Sequence, residues 1–229
     1  MMSIFKHLLE LFFPPLCPCC NIKLTQEEKH ICLSCLYTLP YTNHLNENNN
    51  KLEDFFAGRI PFTRIASLLY FTKGGSTQKI VHEFKYHNNP ELALFVGRLC
   101  GKKISEHPLS HTIDIIVPIP LHKKRLRKRG YNQSLMIAKG IAEIIDRPID
   151  TNNLIRKINN PSQTKNSRFE RWKNTEGIFE IKDSTIYENK HILLIDDVIT
   201  TGSTLEVCAK LILKSPNSKI SIYSVGSAI

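Results

Sequence analysis

The segment Ile192 to Thr204, reading ILLIDDVITTGST, constrains the fold more than any other stretch of the chain. Four apolar residues in succession, Ile192 to Ile195, are what a strand covered on both faces inside a parallel sheet requires. Two acids, Asp196 and Asp197, follow at the carboxyl end of that predicted strand. A short run of small and hydroxylated residues, Thr200 to Thr204, then leads into a helix over Leu205 to Leu213. Successive N–H groups of such a loop, its hydroxyls and the positive end of the following helix can together hold a phosphate. Gly202 permits the turn and a close backbone approach. Carboxylates at the strand end can accept hydrogen bonds from a sugar diol, each charge-assisted bond contributing about 1.5–3 kcal/mol.

The surrounding pattern agrees with an α/β sheet flanked by helices. Arg64 to Phe71 reads as a strand, and helical periods follow through Ile80, Val81 and Phe84 and from Leu92 to Cys100. Asp114 to Ile119 (DIIVPI) is a second continuous apolar run, ended by Pro120. Ser134 to Ile145 is helical, Leu154 to Ile158 is a short strand candidate, and Ile220 to Val225 closes the series. Strands alternating with helices predict a parallel sheet covered on both faces. With 229 residues the chain has room for this core and a small module besides. Composition places the module at residues 1–45 and the α/β unit at 46–229, with its phosphate-binding core over 111–229. The Asn-rich stretch Asn46 to Asn50 serves as a polar linker.

The module is defined by cysteines. Cys17-x2-Cys20 and Cys32-x2-Cys35 form two tight turns separated by eleven residues, a spacing that builds a tetrahedral S4 site. Region 1–45 has few core residues of its own, and structural Zn²⁺ contributes about 10–16 kcal/mol in small fingers. Two disulfides are the competing assignment, disfavoured in a reducing cytoplasm. Cys20 is preferred over Cys19 because it gives the two-residue spacing. Cys100 and Cys208 fall on apolar helical faces and belong to the core. A closed S4 site leaves no open coordination position, so the expected zinc is structural.

Charge is uneven. The net value is +10, and Lys123 to Arg129 (KKRLRKR) places six cations in seven residues. A second basic stretch runs from Arg156 to Lys173. Both are read as loops, able to concentrate anions such as nucleotide phosphates, nucleic acid or acidic membrane. Ile4 to Phe13 lacks the layout of a secretion signal and reads as a short helix packed on the body through Leu8, Leu9, Leu11, Phe12 and Phe13. No stretch reaches the roughly 20 apolar residues of a membrane span, so a cytoplasmic location is expected.

The motif of four apolar residues, two acids, two apolar residues and T-T-G-S-T resembles the 5-phosphoribosyl-1-diphosphate (PRPP) site of type I phosphoribosyltransferases. That resemblance implies a type I parallel sheet. It implies that Asp196 and Asp197 hold the ribose 2′- and 3′-hydroxyls, and that Val198 and Ile199 lead into Thr200, Thr201, Gly202, Ser203 and Thr204, which cradle the 5′-phosphate. A second resemblance spans nearly the whole chain. The four-cysteine module, Lys85-Tyr86, the run VPIPLHKKRLRKRGYNQS (Val117 to Ser134) and the PRPP motif together resemble the ComF family. Its members are phosphoribosyltransferase-like proteins, several linked to DNA uptake in natural competence.

In this light Arg125, Arg129 and the backbone near Gly130 are candidates to neutralise pyrophosphate, with Tyr131, Asn132 and Gln133 opening the next helix. Arg156 to Phe179 lies where type I enzymes carry a lid, and Gln163, Arg171, Asn174 and Phe179 match the family pattern. Asn160 and Ile178 depart from it. The resemblance implies displacement of pyrophosphate from C1 of PRPP by a nitrogen nucleophile, with Mg²⁺ carried mostly by PRPP itself. Asp197 is the one candidate general base, and a weak one. The competing function is a non-catalytic module responding to PRPP or binding single-stranded nucleic acid within the competence machinery.

Overall fold

The computed structural model describes residues 14–158 and 177–229. Its centre is a parallel sheet of four strands: β1 (Arg64–Tyr70), β2 (Ile115–Pro118), β5 (His191–Ile199) and β6 (Lys219–Ser227). Their spatial order is β1-β6-β5-β2, and every neighbouring pair is parallel. The remaining strands, β3 (Leu154–Arg156) and β4 (Phe179–Ile181), form a separate antiparallel pair.

The helices are α1 (Leu33–Tyr37), α2 (Lys51–Phe56), α3 (Ser76–Tyr86), α4 (Pro90–Ser105), α5 (Leu109–Thr112), α6 (Lys123–Arg129), α7 (Gln133–Ile145) and α8 (Ser203–Ile212). Among the described residues no helix is long and apolar enough to cross a membrane.

The continuous apolar runs are explained by two cores, one on each face. Leu193 and Ile195 of β5 pack with Ile80 and Phe84 of α3, Val96 of α4 and Ile141 of α7. Ile192 and Leu194, alternating to the other face, pack with Phe56 of α2, Leu205 and Ile212 of α8, and Leu154 and Phe179. Cys100 and Cys208 are fully buried, one in each core.

Three expectations are corrected. Strand β5 runs past Ile195 to Ile199, because Asp196, Val198 and Ile199 still pair with Ser224, Gly226 and Ser227 of β6. An apolar pattern stops at the first acid, whereas backbone pairing does not. The cations Lys123 to Arg129 form helix α6 rather than a loop. His122 accepts from Lys124 N at its start, and Gly130 closes it in the left-handed region at φ 80°. Lys, Arg and Leu, whose side chains carry no branch at Cβ, are good helix formers, and the charge density masks that signal.

The third correction concerns the Asn-rich linker, which ends in a buried anchor. Asn50 Oδ1 accepts from Leu52 N (2.9 Å) and Glu53 N (3.2 Å), capping α2. Its Nδ2 donates to the carbonyls of His44 (2.9 Å) and Ile65 (3.0 Å). The segment thus ties α2 to β1. The cysteine-rich segment is likewise joined to the body. Thr42 N donates to Leu68 O at 2.9 Å, Tyr70 N donates to Pro40 O at 2.8 Å, and Cys17, Leu24, Ile31 and Leu39 share the core of α3 and α4. Burial that this segment cannot supply alone comes partly from the α/β unit. The N-terminal helix expected before Phe13 lies outside the described residues.

Asn50→Ala removes a cap and leaves two buried carbonyls short of a donor. Urea unfolding is expected to show a loss of about 1–3 kcal/mol; an unchanged midpoint would mean that the anchor is dispensable.

Candidate functional site

The site begins with the two acids of β5. Parallel sheets bind ligands outside the carboxyl ends of their strands, and β5 delivers Asp196 and Asp197 there. The Asp196 carboxylate accepts from Ser134 Oγ at 3.1 Å and from Asp197 N at 2.8 Å. Ser134 stands in the first turn of α7, where Asn132 caps the helix by accepting from Ser134 N and braces the end of β2 by donating to Ile119 O at 3.0 Å. Asp197, nearly buried, pairs with Lys85 Nζ at 2.8 Å. Lys85 comes from the last turn of α3, 112 residues away in sequence.

Burial pushes the Asp196 carboxyl up to about 7, and the neighbouring Asp197 charge adds to this; the Asp197 N–H, Lys85 and Ser134 pull the other way. A carboxyl that titrates near neutrality at a sheet edge is a mark of a functional site.

The phosphate-type loop follows. Gly202 sits at φ 66° and is the N-cap of α8, with no side chain capping the helix. The first-turn N–H groups of this ten-residue helix are therefore left without a side-chain acceptor. Thr201 Oγ1 and Ser203 Oγ lie 3.1 Å apart and exposed or half-buried at the loop mouth. Asp196 and the stretch Val198 to Leu205 line one depression. Val198 and Ile199 belong to the strand. Ile199 is fully buried and its carbonyl accepts from Ala228 N, so its side chain faces the core.

Beside the acids is a cavity of about 550 Å³ lined by Lys85, Tyr86, Asn88, Arg125, Arg127, Lys128, Arg129 and Gly130. The structure thus brings Arg125, Arg129 and Gly130 together, with Lys85 bridging this cavity and Asp197. Arg129 lies over the Tyr86 ring at 5.7 Å. Arg156, at the base of the β3–β4 pair, is pulled below the usual arginine range by burial and by Arg125. Gln163, Arg171 and Asn174 lie outside the described residues. In the sequence Lys85 and Ser134 stand out only as parts of the ComF-like pattern, and their roles as partners of the acids emerge from the fold.

The Sγ atoms of Cys17, Cys20, Cys32 and Cys35 lie within 4.8 Å of one another and could hold a metal. The Cys20–Cys32 separation of 3.7 Å is close to the edge of about 3.8 Å expected for tetrahedral sulfurs at 2.3 Å from zinc. Burial alone would raise the Cys17 thiol, but hydrogen bonding to the Cys32, Cys20 and Cys19 backbone brings it down to about 6. Cys19 is outside the cluster and buried in the core.

Residues 84–229 match the phosphoribosyl transferase domain. The chain belongs to that family. Among curated relatives, competence protein F of Haemophilus influenzae is 27% identical over 154 residues, covering 65% of this chain and 67% of that protein. Competence protein ComFC of Bacillus subtilis is 32% identical over 145 residues, covering 63% of this chain and 56% of that protein. The match thus spans little more than half of the length of ComFC. Glutamine PRPP amidotransferase from B. subtilis, solved with ADP and GMP, is 16% identical with a TM-score of 0.43, over 63% of this chain and 30% of that one. Membership of the phosphoribosyl transferase family rests on the sequence match, and the competence proteins extend the ComF resemblance.

The Asp196 carboxyl makes the free protein's stability depend on pH. Its folded value of about 7 exceeds the unfolded value of about 3.9, so the folded state holds the extra proton between these limits. Stability from this group is present below pH 4 and declines as pH rises through 7. Asp196→Asn removes the decline. In urea unfolding, the variant's gain over wild type is expected to be larger at pH 8 than at pH 5 by about 1–3 kcal/mol. An equal difference at both pH values would contradict the shift.

Proposed function

We propose that this chain binds PRPP and transfers its phosphoribosyl group to a nitrogen nucleophile, releasing pyrophosphate. The observation that carries the reading is the convergence, at one sheet edge, of an adjacent acid pair, an uncapped Thr/Ser/Gly loop and a cation-lined cavity. In this reading the 5′-phosphate takes the N–H groups and hydroxyls of Thr200 to Thr204. Asp196 and Asp197 accept from the ribose hydroxyls. The diphosphate extends toward Lys85, Arg125 and Arg129, whose charges stabilise it as it leaves. Mg²⁺, held chiefly by the oxygens of PRPP, adds neutralisation of the same group. Lys85 occupies Asp197 in the free protein, so Asp197 serves better as a sugar anchor than as a base. The family resemblance assigns Gln163 and Arg171, which lie outside the described residues, to a covering loop that would exclude water.

The four-cysteine cluster is assigned to structural zinc, organising residues 1–45 beside the phosphoribosyltransferase unit at 46–229. A cytoplasmic setting, where thiols stay reduced, suits it. Purified protein is expected to carry about one zinc per chain, and chelation to lower the melting temperature. Metal-free protein that melts at the same temperature would contradict the assignment.

Single-stranded nucleic acid is a second reading with its own support. Tyr86 is 64% exposed, meets the His82 ring at a tilt of 42° and a centroid distance of 4.6 Å, and lies beside the α6 cations. Aromatic faces beside cations suit unstacked bases. The names of the relatives, competence proteins and DNA utilization proteins, point the same way. A single-stranded DNA titration at two salt concentrations tests it, with weaker binding at high salt and in Tyr86→Ala expected.

Calorimetric titration of PRPP with Mg²⁺ tests the principal reading. Asp196→Asn combined with Asp197→Asn is expected to weaken PRPP by on the order of 100-fold or more. Unchanged affinity in the folded double variant contradicts the reading. Wild type that binds PRPP yet releases no pyrophosphate with any acceptor favours a PRPP-responsive regulator over an enzyme.

A further inference from the structure

Arg59 lies between α2 and β1, outside the matched residues 84–229, and yet reaches the back of the phosphate-type loop. Its Nη2 and Nε both donate to Glu206 Oε2, at 2.6 and 3.0 Å, and Nη2 also donates to the Thr201 carbonyl at 3.2 Å. The guanidinium carbon lies over the rings of Phe55 and Phe56, 4.6 and 4.8 Å from their centroids. Phe56 is fully buried and closes directly on Gly202, where an added Cβ would meet its Cζ at 2.4 Å. Glu206, in the first turn of α8, is held on its other oxygen by Lys210 at 2.7 Å. Carbonyl, helix turn and glycine are therefore all gripped from one side.

We propose that Arg59 is the positioning residue of this loop. The inference rests on reading the loop as the 5′-phosphate site. In a planar trans peptide the C=O and the following N–H point in opposite directions. Pinning the Thr201 carbonyl on Arg59 consequently aims the Gly202 N–H away from Arg59, toward the side where a phosphate would sit. Arg59 does not touch the ligand. Its charge is matched by Glu206, so it acts as a strut that sets the donors before binding rather than as an anion ligand. Lysine in its place keeps the charge but loses the fork that holds Glu206 and Thr201 together.

The test compares two fragments of the substrate on full-length wild type, Arg59→Lys and Arg59→Gln. Ribose 5-phosphate reports on the loop; pyrophosphate, which the cavity at Arg125 and Arg129 would take, does not. Both variants are expected to bind ribose 5-phosphate and PRPP about 10- to 100-fold more weakly while keeping pyrophosphate affinity within about twofold. Should Arg59→Gln fail to fold, Arg59→Lys carries the comparison, with melting temperature as the control. Unchanged ribose 5-phosphate affinity in a folded variant overturns the inference, and so does an equal loss of all three ligands, which marks a merely structural role. If wild type binds neither ribose 5-phosphate nor PRPP, the loop reading itself fails and this inference falls with it; that result is distinct from a variant that binds as well as wild type.

Discussion

Two carboxylates side by side at the end of a buried strand repel one another, and much of the surrounding fold is placed so as to hold them there. Lys85 from α3 neutralises Asp197, and Ser134 from α7 donates to Asp196. Neither partner is local. Each is carried in by a helix whose other face packs into the same core, beside Leu193 and Ile195 of β5. Satisfaction is incomplete, since burial and the adjacent charge still push Asp196 up to about 7. A core built for stability alone would have no reason to keep such a pair, and in the proposed function a sugar diol would supply the missing donors.

The phosphate-type loop is dictated by the same geometry one turn further on. Because β5 continues to Ile199, the chain must reverse within a few residues before α8 begins. Gly202 makes that reversal at φ 66° and admits the ring of Phe56 behind it. Helix α2 matters to the site for this reason, although it precedes the matched domain. Helix α6 contributes to the cavity that Lys85 borders. Its cations are distributed around a helix, so only some of them, with Lys85, border the cavity beside the acids.

Legibility in the sequence followed distance along the chain. The strand, the acids, the hydroxylated turn and α8 are contiguous, so the motif from Ile192 to Thr204 could be read directly, as could the four-cysteine spacing. Lys85 with Asp197, Ser134 with Asp196 and Arg59 with Glu206 span 112, 62 and 147 residues, and no local periodicity encodes such contacts. Charge density misled at Lys123 to Arg129, where His122 and Gly130 were the helix signals available. Composition misled at Asn50, whose N-x-x-E relation to Glu53 is a helix-start signature hidden in an apparent linker.

The central proposal is that one sheet edge grips a phosphorylated sugar at both ends. A crystal structure of the protein with PRPP and Mg²⁺ tests this most directly. The 5′-phosphate is expected within hydrogen-bonding reach of Thr200 to Thr204, the ribose hydroxyls on Asp196 and Asp197, and the diphosphate against Lys85 and the Arg125–Gly130 wall. Density for PRPP elsewhere, with the Thr200–Thr204 turn and both carboxylates untouched, would contradict it.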